Sequence, residues 1–141
     1  MRRDRRVIRW QTESNLLLDT HLLLWAAGQP ERLPPLVREL LLDSSNQPVF
    51  SSASVWEITI KRGLERADFN VDPRRLWRML LANGYRELPV TCEHAIAVHD
   101  LPMLHKDPFD RILVDQSRIE AMVLLTSNTT VAAYGEGVRQ V

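Results

Sequence analysis

Short apolar or β-prone runs that break directly into helix signals recur along this chain, and three of these junctions carry an acid: Asp19, Glu57 and Asp110. A strand that passes at once into a helix, several times over, predicts a parallel sheet with covering helices. In such a sheet every strand-to-helix junction lies on one edge, where α/β proteins place their sites. Acids remote in sequence can therefore meet in one pocket. Crowded carboxylates repel one another unless a positive charge lies between them, and a hard divalent cation such as Mg²⁺ is a common solution. The pattern points to a metal-dependent enzyme.

Leu16-Leu17-Leu18 is a short buried strand ending at Asp19, and the apolar residues from Leu22 to Ala26 continue as a helix stopped by Gly28-Gln29-Pro30. Pro34-Pro35 introduces a second helix with Val37, Leu40 and Leu41 at helical spacing. Residues 48–51 form a second strand. Ser54-Val55-Trp56-Glu57 fits a capping box opening a helix that ends at Gly63. Asp72-Pro73 starts the next helix and Asn83-Gly84 ends it; residues 85–90 form a strand, and Thr91 caps the helix after it. Residues 102–106 are a loop, Asp107-Pro108 is a cap followed by proline at the first helical position, and residues 121–126 are a buried strand before a short helix. The predicted order is β-α-α-β-α-α-β-α-α-β-α, with a last strand at 138–141. The fold class is α/β, a sandwich with a mainly parallel central sheet.

The length of 141 residues implies one domain, and 45% apolar content suffices for one core. No apolar run is long enough to span a bilayer, and the basic start does not lead into a signal peptide. The single Cys92 excludes an intramolecular disulfide, reads as a small buried hydrophobe and fits a reducing cytoplasm. The net charge of zero hides an asymmetry: residues 1–9 hold five arginines and one aspartate, which leaves 13 basic against 17 acidic residues and about −4 from residue 10 onward. Such a body does not grip nucleic acid by charge alone. Residues 1–14 are expected to be a flexible basic extension and 15–141 the folded domain.

Each acid also has a structural role open to it. Asp19 can cap a helix, Glu57 can complete its capping box, and Asp110 stands three residues after the cap Asp107. Taken together they are better explained by one site. Asn128, after the fourth strand, offers a carbonyl oxygen but no charge. Thr20, Ser51 and Ser54 can bond metal-bound water or satisfy backbone groups. His21, His94, His99 and His105 lack zinc-helix spacing; His94 and His99 read as surface residues, and His105 anchors the loop that delivers Asp107 and Asp110. Lys61 and Arg111 can contact phosphate or pair with Glu57 or Asp110. Trp25, Trp56 and Trp77 lie on apolar helix faces and are assigned to the core. Asp115, five residues past Asp110, falls about 140° around the helix and outside the pocket.

Leu16-Leu-Leu-Asp-Thr-His-Leu-Leu-Leu-Trp25, Ser51-Ser-Ala-Ser-Val-Trp-Glu-Ile-Thr-Ile-Lys61 and Leu101-Pro-Met-Leu-His-Lys-Asp-Pro-Phe-Asp-Arg-Ile-Leu113 together resemble the PIN-domain ribonucleases, nearest the VapC-type toxins of type II toxin–antitoxin pairs. The match runs from about Leu16 to Tyr134. It implies a PIN-like α/β/α sandwich and a Mg²⁺- or Mn²⁺-dependent endoribonuclease, with Asp19, Glu57 and Asp110 at the family's acidic positions. It also implies a homodimer, an RNA substrate and a cognate antitoxin whose C-terminal segment covers the pocket. Asn128 stands where the family usually has a fourth acid, which bears on a second metal. On this reading Asp19 and Asp110 hold the metal, and Glu57 ligates a second one or positions water. Asn128 and Thr20 tune the coordination shell, Arg111 pairs with phosphate, and Ser54 and His105 support. Two alternatives stand beside it: an RNA-processing nuclease of the same fold, without an antitoxin or weakened by Asn128, and a receiver-type signalling domain. The latter wants paired acids after the first strand and a lysine late in the chain; here Thr20-His21 follows Asp19 and no lysine follows Lys106.

Overall fold

The computed structural model describes residues 14–141. The basic extension assigned to 1–14 therefore lies, up to Glu13, outside the described residues. Ser14 belongs to the packed body: it is buried, its N–H donates to Asn46 Oδ1 (3.3 Å) and its carbonyl accepts from Gln47 N (2.9 Å).

The strands are β1 (Asn15–Leu18), β2 (Gln47–Ser51), β3 (Arg86–Leu88), β4 (Val123–Thr126) and β5 (Val138–Gln140). The helices are α1 (Thr20–Gly28), α2 (Pro35–Leu42), α3 (Ser52–Gly63), α4 (Pro73–Ala82), α5 (Cys92–Ala97), α6 (Pro108–Ile119) and α7 (Thr129–Ala132). All pairings are parallel and the strand order is β3-β2-β1-β4-β5. The element order predicted from sequence is the one observed, including the last strand. The strand order also separates this fold from the receiver type, whose doubly wound sheet runs 2-1-3-4-5.

The two-residue period of the strands divides the core. Leu16, Leu18, Phe50, Val123 and Leu125 face one side, where they meet Leu22 and Leu23 of α1, Val37 of α2, Ile58 of α3 and Leu76 and Leu80 of α4. Leu17, Val49, Leu88 and Leu124 face the other, against Leu113 and Val114 of α6, Val131 of α7 and Tyr134. The central strand β1 is buried on both faces, which is why it is apolar without alternation.

Local chemistry sets most boundaries. Asp72 and Asp107 cap α4 and α6 with Pro at the first helical position, and Thr91 caps α5. Gly84 ends the α4 connection at φ +84°, a conformation that a side chain would strain. One start differs from expectation. Helix α3 is capped by Ser51, whose hydroxyl accepts from Ala53 N (3.0 Å), so the Ser54–Glu57 capping box does not form. Glu57 lies in the second turn instead.

Other assignments are corrected by what covers each residue. Cys92 is exposed because it opens α5 on its outer side. His94 is fully buried: its Nδ1 accepts from Thr91 N (3.0 Å) and its Nε2 lies 2.8 Å from Glu120 Oε2. Trp56 and Trp77 are 62% and 42% exposed, so they are not core residues. With Phe50, Val55 and Pro73 they line an open groove between α3 and α4 instead.

Candidate functional site

The sheet's switch point lies between β1 and β4, whose carboxyl ends open the crevice where doubly wound sheets bind ligands. Here a cavity of about 410 Å³ is lined by Asp19, His21, Trp25, Glu57, Lys61, His105, Asp107, Asp110, Ser127 and Asn128. The three acids singled out in the sequence thus share one cleft. Each is brought there by a different device: Asp19 caps α1 at the end of β1, Glu57 projects from the second turn of α3, and Asp110 from the first turn of α6.

Asp19 is held from two sides. Its Oδ1 accepts from Leu22 N (2.9 Å), which closes the α1 cap, and its Oδ2 accepts from the Thr126 hydroxyl at the end of β4 (2.6 Å). Burial nevertheless raises its pKa, and the nearby Glu57 charge adds to this; the Thr126 and Leu22 hydrogen bonds work in the opposite direction. Asp110 is pushed up to about 6, chiefly by burial, with further repulsion from Asp107, Glu57 and Asp19. Its bond to His105 Nε2 (2.8 Å) opposes that rise. The mutual repulsion means that the carboxylates feel one another across the cleft.

Glu57 is differently placed. Its Oε1 accepts from the Thr20 hydroxyl (2.6 Å), which itself lies 3.0 Å from the Ser54 hydroxyl. Its Oε2 is paired with Lys61 Nζ at 2.5 Å. Thr20 and Ser54 are therefore buried supports for Glu57 rather than groups open to the cavity.

Asn128 lines the rim, but its side-chain oxygen caps α7, accepting from Thr130 N (2.8 Å) and Val131 N (3.3 Å). The structure does not place Arg111 in the cleft. Its buried guanidinium donates to the carbonyls of Val98 (3.0 Å), Leu101 (3.1 Å) and His105 (3.4 Å), because one residue past Asp110 the side chain points about 100° away. Arg111 thereby pins the loop that presents His105. Tyr134 does the same from the other side: its hydroxyl donates to Pro102 O (2.8 Å) and accepts from His105 N (3.2 Å). Asp115 is buried and does not line the cleft. Sequence reasoning missed Thr126 and Tyr134 as supports. A threonine closing an otherwise apolar buried strand was the available sign of the first.

The donor chemistry suits a hard cation, since carboxylate oxygens dominate the cleft and its lysine pairs with Glu57 and Asp107, not with Asp19 or Asp110. Closed coordination is not preformed: among the described residues no three acidic, histidine or cysteine side chains converge on one ion position. Asp19 and Asp110 are the groups that could take a cation directly. Among the described residues no helix is long and apolar enough to cross a membrane.

No family model matches the chain, and no curated protein matches it. Solved structures do match. VapBC2 from Rickettsia felis, bound to a DNA fragment from its promoter, is 13% identical with a TM-score of 0.65; the match covers 90% of this chain and 97% of that one. A toxin–antitoxin complex from Klebsiella pneumoniae is 19% identical with a TM-score of 0.55, covering 89% and 99%. DNA-bound VapBC from Salmonella typhimurium is 18% identical with a TM-score of 0.63, covering 91% and 97%. At these identities the likeness is one of fold. The PIN-like α/β/α sandwich expected from the three sequence blocks is the architecture these structures share with this chain.

Proposed function

We propose that this chain is a divalent-metal-dependent endoribonuclease and the toxin of a type II toxin–antitoxin pair. The observation that carries the chemistry is the cleft at the switch point, where Asp19 and Asp110 are both raised in pKa by burial and have no lysine or arginine partner among the described residues. Such acids are costly to the fold and suit a cation-binding role. The fold neighbours add support for the biological setting, since two are VapBC structures and a third is a toxin–antitoxin complex.

On this reading Asp19 and Asp110 would hold Mg²⁺ or Mn²⁺, and Glu57 would ligate a second cation or position the attacking water. The bound cation would lower the pKa of that water and neutralise charge on the scissile phosphate. Thr126 and the Leu22 amide fix the Asp19 carboxylate, Thr20 fixes Glu57, and His105 holds Asp110 at the cleft mouth. A net-acidic body can then take up RNA because the cation reverses the local field. The cognate antitoxin is proposed as the partner and a homodimer as the assembly.

Asn128 favours a variant of this reading. Its oxygen is committed to the α7 cap, so the fourth position is poorly placed to supply a second metal, and an enzyme working with one cation is the simpler form. The same feature suits an RNA-processing nuclease of modest activity without an antitoxin. Growth arrest on expression, relieved by a co-expressed partner, separates toxin from processing enzyme.

The test is cleavage of total RNA in Mg²⁺, Mn²⁺ or EDTA, with the cut ends mapped by sequencing. Asp19→Asn is expected to abolish metal-dependent cleavage while its far-UV circular dichroism stays that of the parent. Undiminished cleavage by that variant would remove Asp19 from the proposed role.

A further inference from the structure

We propose that Lys61 is a built-in stand-in cation, holding the acid cleft in the metal-free protein and moving from Glu57 to Asp107 when a divalent cation binds. This rests on the metal-binding reading of the cleft and adds to it a residue that sets affinity.

The geometry gives one ammonium two acceptors. Lys61 Nζ lies 2.5 Å from Glu57 Oε2, deep in the cleft, and 3.9 Å from Asp107 Oδ2 nearer the rim. The Glu57 side chain is 3% exposed, that of Lys61 19% and that of Asp107 30%, so the two acceptors form an inner and an outer station. The inner one is engaged on both oxygens: Thr20 donates to the first carboxylate oxygen of Glu57 and Lys61 to the second. An ammonium seated on Glu57 repels a divalent cation beside it, so Lys61 must move away before a cation can bind close to that carboxylate.

The outer station is already prepared. Asp107 commits Oδ1 to the α6 cap, accepting from Phe109 N (2.8 Å) and Asp110 N (3.3 Å), and turns Oδ2 toward Lys61. The lysine nitrogen sits 4.7 Å from the Phe69 ring centroid, a soft support that does not fix it on either acid. Helical geometry puts the inner contact within reach, because positions 57 and 61 are neighbours on one face of α3. A buried carboxylate without such a partner would be strongly destabilising. The lysine thus protects the empty site and competes with its occupant.

The experiment is Mn²⁺ titration by calorimetry or electron paramagnetic resonance, without RNA, on the parent, Lys61→Met, Lys61→Arg, Asp107→Asn, the Lys61→Met/Asp107→Asn double variant and Asp19→Asn. Lys61→Met is expected to bind Mn²⁺ at least tenfold more tightly while its metal-free form melts at a lower temperature; Lys61→Arg should stay near the parent. Asp107→Asn keeps a capping side chain but removes the outer station, so affinity should fall several-fold in the parent and much less in the Lys61→Met background. Equal or weaker binding by Lys61→Met, or an Asp107→Asn effect of the same size in both backgrounds, overturns the proposal. If the parent binds Mn²⁺ through Asp19 and Lys61→Met is unchanged, only this proposal falls; if the parent binds no Mn²⁺, it falls together with the metal reading. Should Lys61→Met fail to fold, Mn²⁺ binding by Lys61→Arg as weak as the parent's and the loss in Asp107→Asn still support it, and their absence overturns it.

Discussion

Replacing Asp110 with Asn is expected to stabilise the metal-free protein, and to do so only above the acid range. Burial and three neighbouring acids raise the Asp110 carboxyl from 3.8 to about 6. A raised carboxyl binds its proton more tightly in the folded state than in the unfolded one. Its favourable contribution is complete below about pH 4 and is lost as pH climbs through about 6. At about 1.4 kcal/mol per pH unit, the ionised group costs the fold at most about 3 kcal/mol at pH 8. Partial exposure, with 20% of the side chain accessible, brings this toward about 1–2 kcal/mol. For a domain of this size that corresponds to roughly 3–8 °C in melting temperature. Thermal melts of parent and Asp110→Asn in EDTA, from pH 4 to 8, read the difference directly. The two curves should coincide near pH 4 and separate between pH 5 and 7, with the variant melting higher. Added Mg²⁺ should raise the parent and leave the variant unmoved. A variant no more stable than the parent at pH 8, or a gap independent of pH, would refute the claim that Asp110 is held in an unfavourable ionisation state.

Two further outcomes follow from the supports around the cleft. Thr126→Val keeps the shape of the β4 terminus but removes the hydroxyl that donates to Asp19 (2.6 Å), so the Asp19 pKa should rise further. A hydrogen bond to a charged group contributes about 1.5–3 kcal/mol, so Asp19 should hold its proton more tightly, Mn²⁺ affinity should fall most toward acid pH, and the acid limb of the pH–rate profile should move to higher pH. Arg111→Ala leaves the carbonyls of Val98, Leu101 and His105 without their donor and should cost about 2–4 kcal/mol in denaturant unfolding. Arg111→Lys should recover little of this, because an ammonium cannot reproduce the forked contacts.

The architecture was largely legible in the sequence because its signals are local. Asp72-Pro73 and Asp107-Pro108 announce helix starts by side-chain chemistry alone, and Leu16-Leu17-Leu18 announces a strand buried on both faces. What the sequence hides is which neighbour covers a face. His94 is buried where α5 packs on α6, with Gln116 against its ring and Glu120, 26 residues on, bonded to it, and nothing local announces that packing. The apolar stripe carrying Trp77 implies a covered face, but α3 and α4 leave a groove there instead.

The start of α3 was ambiguous for a more specific reason. Ser51 and Ser54 are both competent caps, and the choice belongs to the sheet: Ser51 still pairs with Leu88 of β3, so the chain leaves the strand there and the helix begins at once. That three-residue displacement puts Glu57 a turn deeper into the helix, where Thr20 donates to it. Helical angles would have resolved Arg111 without a structure. Adjacent residues diverge by about 100°, so a helix that turns Asp110 into the cleft must turn Arg111 out of it. The same rule keeps Lys61 beside Glu57, four positions on, and makes it the basic residue of α3 that the cleft acquires. Angular position within each helix, more than nearness in sequence, therefore decides which charges enter this site.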